Sequence, residues 1–539
     1  MFRNSSGKKI KRMKTRIQKS KFLFTLLALG GLIWFLSQSP KSNMQTAPTS
    51  QPKDILQPFS VKRVESPETW QRDGEAFIEQ IKNRKNFGKH AKNVILFIGD
   101  GMGITTLTAS RILEGQMRGE SGEENQLSFE KFPSVALSKT YSVNQQTSDS
   151  APTMSAIISG VKTDEGIISV NQSVVVGDYR TVKGNETKTL LEMAEQSGKS
   201  TGVVTTARLT HATPAACYAH SAHRDWEADA NLTEAARRNN FPDIARQLIE
   251  FPIGDGLEVA LGGGRAKFIS NQTSDPEYGD RKGERLDGRD LPKEWTTKYK
   301  NSNYVWNKQQ FDAIDPKSTK HLLGLFEPSH LQYEHDRKND KAGEPSLSEM
   351  TTKAIDIVSN NKKGYFLMVE AGRIDHAHHD GNAFRALTDT IELSNAVRVA
   401  LAKVNLNETL IIVTADHSHT FTIAGYPIRG NNILGLVREV GGGGLLEEKP
   451  AGDRDSKPFT TLGYANGAGY RGGTRPPLTQ ESVINPDYKQ EATVPLNSET
   501  HAGEDVGIYA TGAGSHLIQG VMEQNWIFYV MKEALQLKR

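Results

Sequence analysis

The 539-residue chain has one cysteine, Cys217. No internal disulfide can form, so the fold must rest on its core and on whatever ions it binds. Histidine is also scarce, 14 in all, which makes any cluster of it informative. An excess of basic charge is missing once the first 21 residues are set aside. Those carry nine Lys/Arg and no acid, and without them 57 of the 66 basic residues stand against 63 acidic ones. A nucleic-acid partner therefore has no compositional support. The most apolar stretch, residues 22–36, reads FLFTLLALGGLIWFL and falls short of the roughly 20 residues that a spanning helix needs.

What is present begins with that stretch. A basic block followed by an apolar run is the layout of an export signal. No A-x-A cleavage site follows it. A cleaved signal and a membrane tether by residues 22–36 both stay open, and either places the protein in the periplasm or outside the cell. The charged ending KEALQLKR excludes a GPI tail. The expected organisation is a leader and apolar segment over 1–36, a linker and N-terminal arm over 37–85, and a main domain over 86–539.

Within that domain four apolar runs follow one another: residues 93–100, 202–207, 364–370 and 409–416. They lack period-2 alternation, as strands covered on both faces should. Helical patterns lie between them, over 187–197 and 383–404 for example. The alternation predicts a doubly wound, mostly parallel α/β sheet with helices on both faces. The polar, Gly- and Pro-rich intervals 271–345 and 425–500 read as insertions that form a smaller region outside the core.

Three of the runs end in an acid: Asp100, Glu370 and Asp416. In open parallel sheets ligands bind at the carboxyl ends of strands, so three residues distant in the chain can converge. Each alone also reads as a turn or cap acid. The segment EAGRIDHAHHDG, 370–381, adds Asp375 and His379 at i, i+4, one helical turn apart and able to grip one ion. His378 and Asp380 point elsewhere on that turn. Asp416 is followed by His417. A set of His and carboxylate favours zinc and an all-oxygen set favours magnesium, and the number of donors exceeds the needs of one ion.

Residues 147–160, TSDSAPTMSAIISG, place Ser150 at a helix start. It reads as an N-cap, and also as a nucleophile, because a helix N-terminus favours a phosphate or an alkoxide. A serine needs a base or a metal to attack, and no G-x-S-x-G elbow surrounds it. In THATPAACYAHSAHRDWEAD, 210–229, Arg224 can fork onto two phosphate oxygens or pair with Asp225 or Glu227.

From about residue 90 to 530 the chain resembles the alkaline phosphatase family. The matching blocks are VILFIGDGMG (94–103), DSAPT (149–153), THATPAA (210–216), VEAGRIDHAHH (369–379), TADHSHTFTIAGYPIRGN (414–431) and ETHAGEDV (499–506). The resemblance implies two zinc ions and one magnesium. Asp375, His379 and His501 would bind one zinc, and Asp100, Asp416 and His417 the other, approached by Ser150. Asp100, Thr213 and Glu370 would hold the magnesium, Arg224 would clamp the phosphate, and Asp149, His211 and His376 would line the site. It implies hydrolysis of small phosphate monoesters through a phosphorylated Ser150, activity rising toward alkaline pH, and a homodimer.

His211 and His376 stand where the enteric bacterial enzymes have Asp and Lys, so the chain looks more like the animal tissue enzymes. In those a calcium site is built from positions matching Glu277, the Phe326 carbonyl, Glu327 and Glu344; the family has Asp at the last, a departure here. The disulfide cysteines of the animal enzymes are absent, which with the basic leader suggests a bacterial exported version. A sulfatase would need an arginine two residues after Pro152, where Met154 stands. A phosphodiesterase would need room for a second ester group, which Arg224 argues against. A P-loop fails because Met193 replaces the upstream glycine of Gly198-Lys199-Ser200. A phosphate-binding protein without turnover would usually have lost some of these positions.

Overall fold

The structure is a computed structural model that describes residues 58–538 apart from 63, 64 and 85. The leader and most of the linker lie outside the described residues. Among the described residues no helix is long and apolar enough to cross a membrane.

The described residues form fifteen strands in chain order: β1 Asn93–Gly99, β2 Ser134–Lys139, β3 Ser200–Arg208, β4 Val259–Gly263, β5 Ser302–Val305, β6 His321–Leu325, β7 Tyr365–Ala371, β8 Thr409–Ala415, β9 Ser418–His419, β10 Phe421–Ile423, β11 Leu462–Gly467, β12 Ala492–Pro495, β13 His501–Ala502, β14 Val506–Gly512 and β15 Gly520–Glu523. Ten form one sheet in the order β15-β2-β14-β8-β1-β7-β3-β4-β6-β5. It is mostly parallel, as expected, with β14 running antiparallel between β8 and β2.

The missing alternation in the central runs has its cause in this sheet. On β1, Val94, Leu96 and Ile98 enter the core on one face, and Ile95 and Phe97 enter the core on the other. Every one of them is fully buried, each contributing about 1.5–3 kcal/mol of transfer free energy. Helices cover both faces. Those that matter for the site are α1 Ser150–Ser159, α2 Leu190–Gln196, α3 Ala212–Tyr218, α4 Arg373–His379 and α5 Ala383–Lys403. The helix expected from 187 begins at Leu190 because Thr189 caps it, accepting the Glu192 N–H at 3.1 Å while Glu192 reaches back to the Thr189 N–H at 2.8 Å, a capping box.

One expectation needs correction. The interval 271–345 is not all insertion, since β5 and β6 within it close one edge of the central sheet. They are only four and five residues long, too short for periodicity to separate from loop. The interval 425–500 supplies β11 and β12, which join β10, just before it, in a separate three-stranded sheet.

Candidate active site

Register brings the acids together. On β1 and its two neighbours, Gly99 pairs with Ala415 of β8 and Ile98 with Glu370 of β7. Asp100 and Asp416 therefore leave adjacent strand ends side by side, with Glu370 one step behind. All three are fully buried. Gly101 then turns the chain at φ +67°, where a Cβ would lie 2.3 Å from His419 Nε2, so only glycine fits. Its N–H donates to Asp416 Oδ1 at 3.0 Å, as does that of His417 at 2.9 Å.

Asp100, Asp416 and His417 form one ligand group. His417 Nε2 lies 3.4 Å from Asp100 Oδ1 and 3.3 Å from Asp416 Oδ2. Ser150, first residue of α1, points its Oγ into this group, 3.2 Å from His417 Nε2 and 3.4 Å from Asp100 Oδ1. Burial, reinforced by the neighbouring carboxylates of Asp416, Asp375 and Glu370, pushes Asp100 well above the ordinary carboxylate range. So many buried acids within reach of one another demand a cation.

The second group is Asp375, His379, His419 and His501. His379 donates its Nδ1–H to the Glu499 carbonyl at 2.6 Å, and His501 donates its own to the Ser148 carbonyl at 2.9 Å. In a neutral ring each Nε2 then presents a lone pair. These two nitrogens face each other at 3.1 Å, and each lies within 3.3 Å of Asp375 Oδ1. Three acceptors around one point, with no proton of their own to share, fit a metal ion. Burial works against charge on His379, yet Asp375 holds it above its ordinary value. The site draws positive charge.

The third group joins Asp100 and Glu370 to His211. Asp100 Oδ2, Glu370 Oε1, Thr213 Oγ1 and His211 Nδ1 are all buried without a hydrogen-bond partner. Glu370 is pushed up to about 7 by burial, against the Thr205 hydroxyl that donates to it at 2.5 Å. Unsatisfied oxygens of this kind are expected where an oxygen-loving ion belongs.

Arg224 takes neither Asp225 nor Glu227 as its partner. It pairs with Asp149, the residue before α1, and its Nη2 donates to His211 Nε2 at 3.1 Å. Burial opposes the charge of Asp149, but Arg224 prevails and holds it below its usual value. Glu227 pairs with Arg208 instead. His376 is pushed down to about 3 by burial and by Arg373. His378 is fully buried, bonded to Thr106 Oγ1 at 2.9 Å and Tyr464 OH at 2.8 Å, and Asp380 is exposed.

Sequence reasoning missed His419 and Glu499. His419 Nε2 sits 2.9 Å from Asp375 Oδ1, and its Nδ1 sits 2.5 Å from Glu499 Oε2. The signal was the second histidine of TADHSH, two residues beyond His417, whose ring lies 5.7 Å from that of His417 between centroids. Away from this centre, Glu277 and Glu327 group with Asp340, a residue not expected there. Both Asp340 oxygens and Glu344 Oε2 are buried without partners. Burial, with Glu327 and Asp340 nearby, pushes Glu344 up to about 9. Phe326, just before Glu327, is buried at the end of β6. The donor set is all carboxylate, which fits a hard cation.

Residues 91–537 match the sequence profile described as alkaline phosphatase. The chain is 44% identical over 485 residues to the tissue-nonspecific alkaline phosphatase isozyme of Mus musculus, covering 88% of this chain and 90% of that protein. It is likewise 44% identical over 476 residues to an alkaline phosphatase of Gadus morhua, covering 87% and 97%. Among solved structures, the alkaline phosphatase of Thermus thermophilus aligns with a TM-score of 0.59 at 24% identity, covering 85% of this chain and 94% of that one. The enzyme of the Antarctic bacterium TAB5 aligns at 0.57 and 22%, covering 84% and 100%. These two likenesses concern the fold.

Proposed function

The chain belongs to the alkaline phosphatase family and is a metal-dependent phosphomonoesterase; we propose that it works through a covalent phosphoserine at Ser150. The observation that carries this reading is the place of Ser150 Oγ, within 3.4 Å of both Asp100 and His417. Asp375, His379 and His501 would hold one zinc, Asp100, Asp416 and His417 a second, and Asp100, Thr213 and Glu370 a magnesium. When bound, such ions supply charge that offsets the phosphoryl oxygens and lowers the proton affinity of a hydroxyl or a water beside them.

The chain's own residues do the rest. Arg224, aimed by Asp149 and His211, grips two oxygens of the substrate phosphoryl group. The N-terminus of α1 faces the same group and favours its charge. Ser150 Oγ attacks phosphorus; the bond to the substrate oxygen breaks and the alcohol leaves. Water then attacks the phosphoserine, freeing phosphate and restoring the hydroxyl. Because the contacts hold the phosphoryl group and not the alcohol, the substrate range is broad. Glu277, Glu327, Asp340 and Glu344, with the Phe326 carbonyl, would take calcium. The protein is exported, to the periplasm or beyond the cell, and assembles as a homodimer.

Hydrolysis of p-nitrophenyl phosphate at alkaline pH, compared with bis-p-nitrophenyl phosphate and p-nitrophenyl sulfate, tests the reaction class. The monoester is expected to be turned over far faster than the other two. Preference for the diester or the sulfate would overturn the reading.

A further inference from the structure

Gln524 is a fully buried amide just past the last strand, β15. That strand stands at the edge of the sheet, three places from β8. Even so, Gln524 Nε2 donates to the Asp416 backbone carbonyl at 2.6 Å. Its Oε1 is buried without a hydrogen-bond partner. Burying an amide with one atom unmet opposes folding, and an apolar side chain of similar size would avoid that cost. The one bond the side chain makes lies at the residue that joins β8 to His417, in the group that Ser150 Oγ enters.

The neighbours of Gln524 in sequence hold other parts of the same centre. Glu523 pairs with Lys139, the last residue of β2, at 2.6 Å, and with Lys162, three residues past the end of α1, at 2.9 Å. Asn525 Nδ2 donates to the Gly160 carbonyl at 3.0 Å. Gly160 closes α1 at φ +76°, and a Cβ there would lie 2.5 Å from the Phe528 ring, on the C-terminal helix Trp526–Ala534. Three consecutive side chains therefore tie the ends of β2, β8 and α1 to a single turn. Ser150 sits at the other end of α1, and the helix transmits where it is pinned. Fixing Gly160 and Asp416 to one turn thus fixes the 3.2 Å separation of Ser150 Oγ from His417 Nε2.

We propose that Gln524 is a positioning residue for hydrolysis: it fixes the Asp416 carbonyl, and through it Asp416 and His417, at the distance from Ser150 that attack on phosphorus needs. The inference rests on the proposed function, in which Asp416 and His417 hold a zinc ion beside Ser150. Gln524 itself touches no reacting atom. It acts through a carbonyl, as the outer partners of metal ligands do when they set the orientation of a ligand.

The test compares wild type, Gln524→Met and Asn525→Ala as holoenzymes, by two measurements. The first is steady-state kinetics on p-nitrophenyl phosphate. The second is the rate at which zinc is lost to an excess of chelator, followed by elemental analysis. Gln524→Met keeps the length of the side chain and removes the donor. It is expected to lower kcat by about tenfold or more and to speed zinc loss by a similar factor, with KM changed by less than about twofold. Asn525→Ala should move both readouts the same way by less. Wild-type kcat and zinc loss in Gln524→Met overturn the proposal. So does a lower melting midpoint with zinc loss unchanged, which would assign the side chain to packing, and so does a change confined to KM. Should Gln524→Met fail to fold, as judged by its circular dichroism, Asn525→Ala decides, and wild-type values for it overturn the proposal. If the wild type holds zinc but fails on p-nitrophenyl phosphate, the proposed function falls and the zinc measurement alone decides Gln524. A wild type that takes up no zinc overturns both.

Discussion

His417 and His501 stack ring on ring, centroids 3.7 Å apart and planes 20° from parallel. The pair joins the Asp100 group to the Asp375 group, so a disturbance in one is felt in the other. Prolonged chelation is expected to abolish p-nitrophenyl phosphate hydrolysis and to lower the thermal midpoint, with zinc and magnesium restoring both. His501→Ala should lose more than one equivalent of zinc per chain by elemental analysis. Full zinc content in that variant would count against these ligand groups.

Ser150→Ala should lower kcat by about three orders of magnitude or more, as loss of a nucleophile does, while zinc content stays near that of the wild type. Rapid quench at acid pH should trap a phosphorylated chain in the wild type and none in the variant. Turnover close to wild type would exclude the covalent route.

The carboxylates around Asp340 make a separate prediction. Calcium should raise the thermal midpoint, by an amount that corresponds to about 2.7 kcal/mol once calcium reaches a hundred times its dissociation constant. Asp340→Asn and Glu327→Gln should each weaken that calcium-dependent rise. A rise of the same size in both would remove these residues from the site.

Glu195 gives a pH dependence away from the metals. Burial and the nearby Glu258 push it up to about 9, and Thr201 Oγ1 donates to it at 2.5 Å. Its folded value lies above its unfolded one, so the folded state binds the extra proton and stability falls as pH rises from about 4.5 to about 9. The whole span corresponds to an upper bound of about 6 kcal/mol. Glu195→Gln should flatten the fall of melting midpoint between pH 6 and 9. A variant as pH-sensitive as the wild type would point to Glu258 or another acid.

Gly101→Ala tests the turn after β1. The added Cβ collides with His419 Nε2 at a φ that L-residues resist. Lower zinc content and a lower melting midpoint are both expected. A variant with wild-type zinc and stability would mean that the turn relaxes without cost.

What the sequence made legible were local patterns: continuous apolar runs, acids at their ends, and histidines one turn from a carboxylate. Asp100, Asp375, His379, Asp416 and His417 were all readable that way. What it hid depends on pairing between distant segments. The strands β5 and β6 are too short to announce themselves and owe their place to the pairing of β6 with β4 and of β5 with β6. His419 meets Asp375 only because β9 pairs with β13, His419 opposite His501. Asp340 reaches Glu277 and Glu327 from across a polar interval whose internal spacing carries no signal.

The strand β14 has a bearing on when the protein becomes itself. It lies between β8 and β2, and its seven residues end at 512 of 539. Until that segment leaves the ribosome, β2 and β8 have nothing to bridge them and the gathering of side chains around Ser150 lacks His501. Contacts that span hundreds of residues form slowly. Completion of the sheet must therefore wait for this late segment, and a nascent chain would until then carry an incomplete sheet with an open seam, in need of protection from its neighbours.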